Sequence, residues 1–513
     1  MNTSSIIDNS PPPLSGGKLV AGTLLLAMAN FLAILDTTIA NVSVANIAGS
    51  LGTSTSQGTY VITSYAVAEA ISVPLTGWLA SRFGSMRVFV TCFVLFGVFS
   101  ALCGVATSMN MLVAFRVLLG FCGGPMMPLS QTLMMRIYPK NKKHVAIGIW
   151  SMTTLIAPIL GPILGGILCD QYSWHYIFLM KAPFAIIAGI MCWNMLRQYE
   201  TSSKKSHIDR VGLGLLIISV AALQIMLDEG KDHDWFSSHE IIALSITAVI
   251  GFSCFLIWEL TEKEPIVNLK VFRHRGYSVS MVALFLGYGA FFGTAVLTPM
   301  WLQQNMGYTA TIAGYATASM GILAVLVAPL AANLTTKLDP RALTCFGILW
   351  LGGWTFYRSF GDMDMTFSQI SLPQLFEGLG MPMFFVSLTA LALGSVNENE
   401  MESAAGLMNF IRTMGGAIAT STVNTSWDDQ IRYIHAELSG LTDSMNIVTN
   451  NMINSGVNTD VSRVIIDNIL NGQSVMMATN KMFMFIAAIF AFAAFVIWFA
   501  PKPLRVADTS SVH

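Results

Sequence analysis

The sequence predicts an all-α integral membrane protein, on two observations: its composition and the spacing of its apolar stretches. Of the 513 residues, 54% are hydrophobic and only 11% are charged, whereas about 25% of the residues in a soluble protein are charged. The apolar residues also gather into stretches of about 20, the length of helix that crosses a bilayer. Because so much apolar surface cannot be hidden inside one water-soluble core, we expect lipid to be the main solvent of this chain.

Fourteen such stretches follow one another along the chain. They occupy residues 17–43, 58–80, 86–106, 110–136, 144–168, 175–196, 211–228, 240–260, 277–301, 311–333, 341–360, 371–394, 404–425 and 480–500. An even number of spans places both termini on the same side of the membrane. The loops after the even-numbered spans carry many bases, among them Arg82, Arg87 and Arg273, whereas the short loops of the other side carry only Lys231. The positive-inside rule therefore predicts that both termini are cytoplasmic.

Two connections depart from this pattern. The loop after span 12 carries Glu398, Glu400 and Glu402 without Lys or Arg, but acidic residues weigh little in the rule, so the predicted orientation stands. Residues 427–479 form the only long hydrophilic stretch of the sequence. We expect this segment to lie on the outer side of the membrane and either to pack as short helices or to stay mobile.

Composition and motifs also exclude several classes of function. The 27 basic and 28 acidic residues give a net charge of −1, so no basic surface is expected to bind nucleic acid. The seven cysteines occur without a CxxC motif, which argues against a disulfide framework or a metal site. The sequence also lacks HExxH, GxSxG and P-loop motifs, so neither an enzyme active site nor ATP hydrolysis is predicted.

Ionisable residues inside spans are expensive in lipid and usually face a cavity or a partner. With a rise of about 1.5 Å per residue, Asp36 in span 1 and Arg116 in span 4 lie at similar depth, and they are the candidate proton-coupling pair. The alternative is a buried salt bridge that only packs helices. Glu69 and Glu377 are auxiliary candidates without an assigned partner. We expect Arg358 to extend its long side chain to the membrane boundary, and Lys181 either to do the same or to pair.

Small residues and prolines mark two places where helices approach closely or bend. In span 5, a residue with a small side chain recurs every four positions and two prolines remove backbone donors, which predicts a hinge or a tight seal. Between spans 2 and 3, a glycine able to take a positive φ and two arginines predict a tight turn that is either a membrane anchor or a conformational latch. These residues are Ala157, Pro158, Gly161, Pro162, Gly165 and Gly166 in span 5, Gly120 in span 4, and Gly77, Arg82, Gly84 and Arg87 in the turn.

Polar side chains inside the spans are candidates for the lining of a substrate cavity. They are Asn30, Asn41, Gln131, Lys181, Gln374 and Arg412. Methionine-rich and aromatic surfaces suit varied hydrophobic ligands, although most of the 31 methionines are expected to face lipid.

These motifs together resemble the major facilitator superfamily, and within it the fourteen-span drug/proton antiporters of the EmrB and QacA kind. Residues 77–87 resemble the loop between spans 2 and 3 of the superfamily, and residues 35–42 (LDTTIANV) its fourteen-span signature in span 1. Residues 116–120 resemble the span-4 motif associated with proton coupling, and 157–166 the antiporter motif of span 5. Residues 223–228 together with 234–238, and residues 265–269, look specifically like the EmrB type.

The resemblance implies a major facilitator fold around a central cavity that opens alternately to each side. Its two six-helix bundles would occupy residues 17–196 and 277–500, with two inserted helices within 197–276 and tails at 1–16 and 501–513. It implies export of hydrophobic or amphipathic drugs, fatty acids or bile-salt-like molecules from a bacterium across its inner membrane. The energy would come from a proton gradient, without a cofactor. It also implies a periplasmic membrane-fusion adaptor, docked on 427–479, and an outer-membrane channel.

Several positions depart from the family pattern. Ser81 replaces the usual Asp of the first loop, so its arginines need another acid, and Leu119 and Ala157 replace a common Gln and Gly. Glu69, Lys181 and Glu377 stand where EmrB relatives tend to have amides, which adds charge inside the membrane and favours an altered proton number or cationic substrates. Two alternatives remain: an importer or symporter of the same fold, which the span-5 glycines and prolines disfavour, and a membrane-embedded enzyme or receptor.

Overall fold

The computed structural model describes residues 12–41, 43–139, 142–201, 209–440 and 458–502, and the regular elements in these ranges are helices. The first nine are α1 (Gly16–Asn41), α2 (Val44–Ser50), α3 (Thr55–Ser72), α4 (Thr76–Phe83), α5 (Ser85–Gly104), α6 (Met109–Ile137), α7 (Lys143–Gln171), α8 (His175–Leu179) and α9 (Lys181–Leu196). The others are α10 (Arg210–Glu229), α11 (His239–Thr261), α12 (Arg275–Gln304), α13 (Ala310–Lys337), α14 (Pro340–Arg358), α15 (Phe367–Gly394), α16 (Met401–Ser439) and α17 (Thr459–Val496).

Each of the fourteen predicted spans overlaps at least one of these helices, and the spans at 58–80 and 175–196 each overlap two. Within the described residues, ten helices are long and apolar enough to cross a membrane, or eleven if α7 is counted although it bends by 41° between Lys143–Pro158 and Ile163–Cys169. The all-helical membrane fold is therefore confirmed, whereas the count of fourteen spans stays a prediction.

The apolar side chains pack into two large cores. One core joins residues from α1 to α9, and it includes Leu26, Phe93, Met126 and Phe178. The other draws mainly on α10 to α17, and it includes Leu216, Leu302, Phe384 and Phe490. The functional side chains described below lie within these cores or between them.

Contacts between connections define the two ends of the helix bundle. The Tyr199 hydroxyl donates to the Pro12 carbonyl at 2.6 Å, and the Leu14 amide donates to the Ile137 carbonyl at 2.9 Å. Arg341 donates to the Ala500 carbonyl at 3.0 Å, and one cavity is lined by both Met135 and Pro501. Both ends of the described chain therefore lie at one end of the bundle, which we call the terminal face. We call the opposite end, which carries the connection between α10 and α11, the distal face.

The helices α16 and α17 correct the expectation for residues 427–479. Instead of short helices, α16 continues without interruption for 39 residues and α17 for 38 residues. At 1.5 Å per residue they are about 58 Å and about 57 Å long, nearly twice the hydrocarbon core of a bilayer of about 30 Å. Trp427 of α16 donates to Thr479 of α17 at 3.0 Å and holds the two together. Residues 441–457 lie outside the described part of the chain.

The helical hairpin of α10 and α11 packs against this distal end of α16. Ser421 donates to the Leu227 carbonyl at 2.8 Å, and Trp235 donates to Thr425 at 3.0 Å. Lys231 forms an ion pair with Asp428 at 2.6 Å. The inserted hairpin thereby forms one wall of the cavity described below.

Candidate functional site

Asp36 on α1 is the centre of a buried charge cluster. One carboxylate oxygen, Oδ2, forms an ion pair with Arg116 of α6, and the other, Oδ1, forms an ion pair with Lys181 of α9. All three residues are fully buried. The contact between Asp36 and Arg116 that similar depth predicted is therefore present. Of the two alternatives for Lys181, the structure shows pairing and contradicts outward extension. The carboxylate of Asp36 holds the Lys181 ammonium group inside the bundle, where the residue is fully buried.

Aromatic rings and a backbone carbonyl complete the surroundings of this cluster. Arg116 Nε donates to the Val61 carbonyl at 2.8 Å, and its guanidinium lies 4.4 Å from the centre of the Tyr65 ring. Lys181 Nζ lies 5.1 Å from the Phe178 ring. If all three groups are ionised, one negative charge faces two positive charges. Protonation of Asp36 would remove both ion pairs at once, so one proton can change the packing of α1, α6 and α9.

A second buried charge cluster occupies the other core. Arg358 Nη1 of α14 lies 3.4 Å from Glu377 Oε2 of α15, and the same guanidinium donates to Thr298 of α12. Thr355 donates to the other carboxylate oxygen of Glu377 at 3.3 Å. The expectation that Arg358 extends to the membrane boundary is wrong, because it is only 7% exposed and its guanidinium lies 4.2 Å from the ring of Phe483 on α17. The continuation of α17 past the end of α14 covers this arginine.

Glu69 and Arg412 lie elsewhere, at a cavity of about 380 Å³ that we call the distal cavity. Residues of α1, α3, α10, α12 and α16 line it, and Lys231 and Asp232 lie at its mouth on the distal face. Glu69 is 3% exposed. Arg412 Nη2 lies 3.2 Å from the Met127 sulfur, and its guanidinium lies 5.4 Å from the Trp150 ring. The cavity therefore contains an acid and a base that belong to neither charge cluster.

The other residues predicted to line a cavity take different places. Asn30 of α1 donates to Thr153 of α7 at 2.7 Å, and Gln131 of α6 accepts from Asn409 of α16 at 3.4 Å, so both join helices. Gln374 is buried within α15, with 2% of its surface exposed. The side chain of Asn41 lies outside the described residues.

Several cavity residues were missed in the sequence. These are Thr37 and Thr38 of α1, Gln224 and Asp228 of α10, Tyr288 and Phe292 of α12, and Asn424 of α16. Asp228 could have been recognised as a cavity residue from the sequence, because it is an acid at the end of an apolar span and next to a short connection.

At the terminal face, the two cores are joined by an ion pair and a hydrogen bond. Arg136 of α6 forms an ion pair with Glu402 at the start of α16, and Ser85 donates to the same carboxylate at 3.2 Å. Between this contact and the distal cavity lies the pair of Gln131 and Asn409, both 1% exposed. A polar cavity of about 420 Å³, lined by Ser81, Arg136 and Glu402 among others, lies at the terminal face.

The predicted turn between spans 2 and 3 is confirmed, with φ of +93° at Gly84. The acid that Ser81 lacks is supplied by Glu200, which accepts from the amides of Met86 and Arg87, each at 3.1 Å. Arg87 Nε lies 3.6 Å from the same carboxylate. Arg82 instead lies over the Trp78 ring, 5.5 Å from its centre. This acid is distant in the sequence, so the local motif could not reveal it.

The small-residue faces make close helix contacts at some positions and not at others. A Cβ atom on Gly120 would stand 3.1 Å from the Ala68 Cβ, and closer still to the Tyr65 carbonyl, so α6 needs glycine there to pack on α3. A Cβ on Gly161 would stand 2.7 Å from the Thr38 Cβ of α1. Ala157 and Gly165 are buried, Pro158 lines the distal cavity, and Gly166 has open space around it. The side chain of Pro162 lies outside the described residues.

Comparison with known proteins places this geometry in a family context. The sequence profile of the Major Facilitator Superfamily matches residues 26–420. The chain is 40% identical over 496 residues to the multidrug export protein EmrB of Escherichia coli (strain K12), covering 96% of this chain and 97% of that protein. It is 39% identical over 498 residues to the fatty acid resistance protein FarB of Neisseria gonorrhoeae, covering 96% and 98%.

Solved structures share the fold. The human organic anion transporter MFSD10 superposes with a TM-score of 0.59 at 13% identity, covering 94% of this chain and all of that one. The proton:xylose symporter XylE superposes with a TM-score of 0.56 at 14% identity, covering 94% and 96%.

Proposed function

The chain belongs to the major facilitator superfamily of transporters, and from this premise we propose that it exports hydrophobic or amphipathic compounds in exchange for protons. The observation that carries the proposal is the ion-paired position of Asp36 between Arg116 and Lys181, with all three side chains fully buried. A carboxylate held in this way exchanges its two ion pairs for one proton. The names of its relatives EmrB and FarB, which refer to multidrug export and fatty acid resistance, support export as the direction.

Alternating access supplies the mechanism. The distal cavity opens at one face, while Arg136 and Glu402 join the two cores at the other face. We take this arrangement as the state that releases substrate at the distal face. Proton binding at Asp36 loosens α1 from α6 and α9, and the return of the cavity to the terminal face delivers the proton there. A membrane potential supplies about 2.3 kcal/mol per charge per 100 mV, enough for one proton to move a neutral compound uphill.

The proposal also includes a membrane topology. It takes fourteen spans, with six-helix bundles at residues 17–196 and 277–500 and both termini in the cytoplasm, so the distal face is periplasmic and the membrane is the bacterial inner membrane. The length of α16 and α17 beyond the hydrocarbon core supports contact with a periplasmic membrane-fusion adaptor and, through it, an outer-membrane channel. The proton gradient is the energy source, and the proposal includes no cofactor and no enzymatic step.

Transport in everted membrane vesicles tests the central step. We expect wild-type vesicles to accumulate a fluorescent amphipathic substrate when respiration acidifies their interior, and Asp36→Asn to abolish this accumulation. The matched control is Asp467→Asn, an acid 73% exposed on α17, which should transport at the wild-type rate. Counterflow of labelled against unlabelled substrate needs no proton, so Asp36→Asn should retain it. Full proton-driven transport by Asp36→Asn would reject the assignment of Asp36.

The importer alternative gives an opposite result in whole cells. An exporter keeps intracellular dye low until an uncoupler is added, so the dye signal rises with the uncoupler. A proton-driven importer accumulates dye, and the uncoupler lowers the signal. A fall in the signal would replace export with import while leaving the fold assignment intact.

A further inference from the structure

The lining of the distal cavity contains hydrogen-bond acceptors that no donor of the described chain satisfies. Three of its oxygen atoms are buried and have no hydrogen-bond partner in the described part of the chain: Glu69 Oε1, Gln224 Oε1 and Asn424 Oδ1. Glu69 and Gln224 are only 3% and 4% exposed. A buried acceptor without a donor costs free energy, so a ligand that brings N–H groups to these atoms recovers that cost.

We propose that the distal cavity selects amphipathic cations that carry N–H donors, with the Glu69 carboxylate as the residue that determines this specificity. The inference rests on the proposed export function and names the substrate class of the same cavity. Glu69 supplies the negative charge, and the amide oxygens of Gln224 and Asn424 accept the remaining N–H groups.

The orientation of Gln224 follows from its neighbour. Gln224 Nε2 donates to Asp228 Oδ1 at 3.2 Å, so the donor end of this amide is occupied and its oxygen is the end that remains. Asp228 is a second acid in the lining, and Asp232 at the mouth is a third. The acidic groups therefore extend from the mouth of the cavity to Glu69.

The lining contains three acids, Glu69, Asp228 and Asp232, against two bases, Lys231 and Arg412. Lys231 already forms an ion pair with Asp428 at 2.6 Å. The guanidinium of Arg412 lies between the rings of Trp150 and Tyr288, 5.4 Å and 5.8 Å from their centres. A carboxylate ligand would find Arg412 as the one base of the described lining not ion-paired with a residue outside it, and Arg412 already interacts electrostatically with Glu69. Such a ligand would also leave all three oxygens without donors.

The apolar part of such a ligand also has a place. Tyr288 and Phe292 line the cavity as a stacked pair, with ring centres 5.5 Å apart and planes inclined by 27°. Aromatic faces attract both flat apolar groups and cations. The cavity volume of about 380 Å³ lies in the range that holds small-molecule ligands.

Three probes with one fluorophore test the proposal on the full chain in lipid nanodiscs. Dansylcadaverine carries an ammonium group, its N-acetyl derivative is neutral, and dansyl-6-aminohexanoate carries a carboxylate. We expect fluorescence anisotropy to give the ammonium probe at least tenfold tighter binding than the neutral one. Glu69→Gln should reduce this ratio to about one, because the ammonium probe should lose far more binding than the neutral probe.

The matched control is Glu259→Gln, which replaces another buried carboxyl group, 2% exposed on α11 and away from the cavity. It should keep the wild-type ratio. Gln224→Met is a second cavity variant that leaves every charge in place, and we expect it to reduce the ratio by about threefold. An unchanged ratio in both Glu69→Gln and Gln224→Met, or a preference of the wild type for the carboxylate probe, would overturn the proposal.

This binding measurement requires no proton gradient, so it separates the two proposals. If vesicles show no proton-driven transport but the ratio depends on Glu69, the export function fails and the cation site stands. If proton-driven transport depends on Asp36 but the ratio ignores Glu69, only the cation site fails.

Discussion

Gly77 on α4 lies against the backbone of Ser403 on α16, so closely that a Cβ atom on Gly77 would stand 2.9 Å from the Ser403 Cα. Backbone atoms cannot rotate away as a side chain can, so this contact depends on the absence of a side chain. It joins the two cores at the terminal face, beside the ion pair of Arg136 and Glu402.

Gly77→Ala should therefore separate α4 from α16 and weaken closure at the terminal face. We expect a cysteine introduced at Ser81, in the terminal-face cavity, to react with an impermeant maleimide several times faster in the Gly77→Ala background. Gly353→Ala is the matched control, because a Cβ there meets nothing within 4 Å. Equal labelling rates in the two backgrounds would show that the Gly77 contact does not hold this face closed.

Glu402→Gln should have the same effect by removing a charge from the same interface. Its carboxylate bonds to both Arg136 and Ser85, whereas the neighbouring Glu398 is 81% exposed and 3.8 Å from Lys143. We expect Glu402→Gln to raise Ser81→Cys labelling at least threefold and Glu398→Gln to leave it unchanged. Similar effects of the two substitutions would point to the general charge of the loop and away from the ion pair.

Removal of Asp36 or of Lys181 should affect stability unequally. Asp36→Asn leaves two buried cations without a counter-charge, which costs about 3–5 kcal/mol. Lys181→Met leaves one acid paired with one base, so its cost should be about 1 kcal/mol. The double substitution should then be more stable than Asp36→Asn alone. Rates of unfolding in detergent at raised temperature measure this order, and strictly additive losses would contradict it.

Asp339 should make the stability of the terminal face depend on acid pH. Hydrogen bonds from Arg341, at 2.8 Å from Nη2 and 3.0 Å from the backbone amide, hold the pKa of the Asp339 carboxyl below its ordinary value, while burial opposes them. A depressed pKa stabilises the fold above the ordinary carboxyl pKa of about 4. That contribution is lost as the pH falls through the folded pKa.

Asp339→Asn should thus be less stable than the wild type at pH 7 by about 1 kcal/mol. The difference should shrink below pH 4 and vanish once the wild-type carboxyl is protonated. Thermal unfolding at pH 7, 5, 4 and 3 measures it. A difference that stays constant over this range would mean that the side-chain charge contributes nothing.

The depth of a residue along its helix could be predicted from the sequence, but the direction in which its side chain points around the helix axis could not. Asp36 and Arg116 lie in different helices at matching depth, and counting residues was enough to pair them. The side-chain directions of Lys181 and Arg358 could be read only from the structure, because a residue near a helix end can point either outward or inward. The helices packed over such a residue determine which direction it takes. For Arg358 that helix is α17, which lies far away in the sequence.

The distal cavity was beyond prediction for a similar reason. Glu69 lies within an apolar span, and nothing near it in the sequence shows that α10, α12 and α16 meet in front of it. The same holds for Glu200, which supplies the acid missing at Ser81 and accepts from the Met86 amide 114 residues earlier in the chain. Local motifs predicted the turn, and only the packed bundle reveals which acid completes it.

The uninterrupted length of α16 has a mechanical consequence. Its 39 residues contain no proline, and the helix begins at the ion pair with Arg136 on the terminal face and ends beyond the distal face. A rod of about 58 Å displaces its tip by about 1 Å for each degree of rotation at its base. In the proposed alternating-access cycle, a rotation of α16 that opens the terminal face would therefore become a swing of its far end, and a partner bound there would be displaced with it.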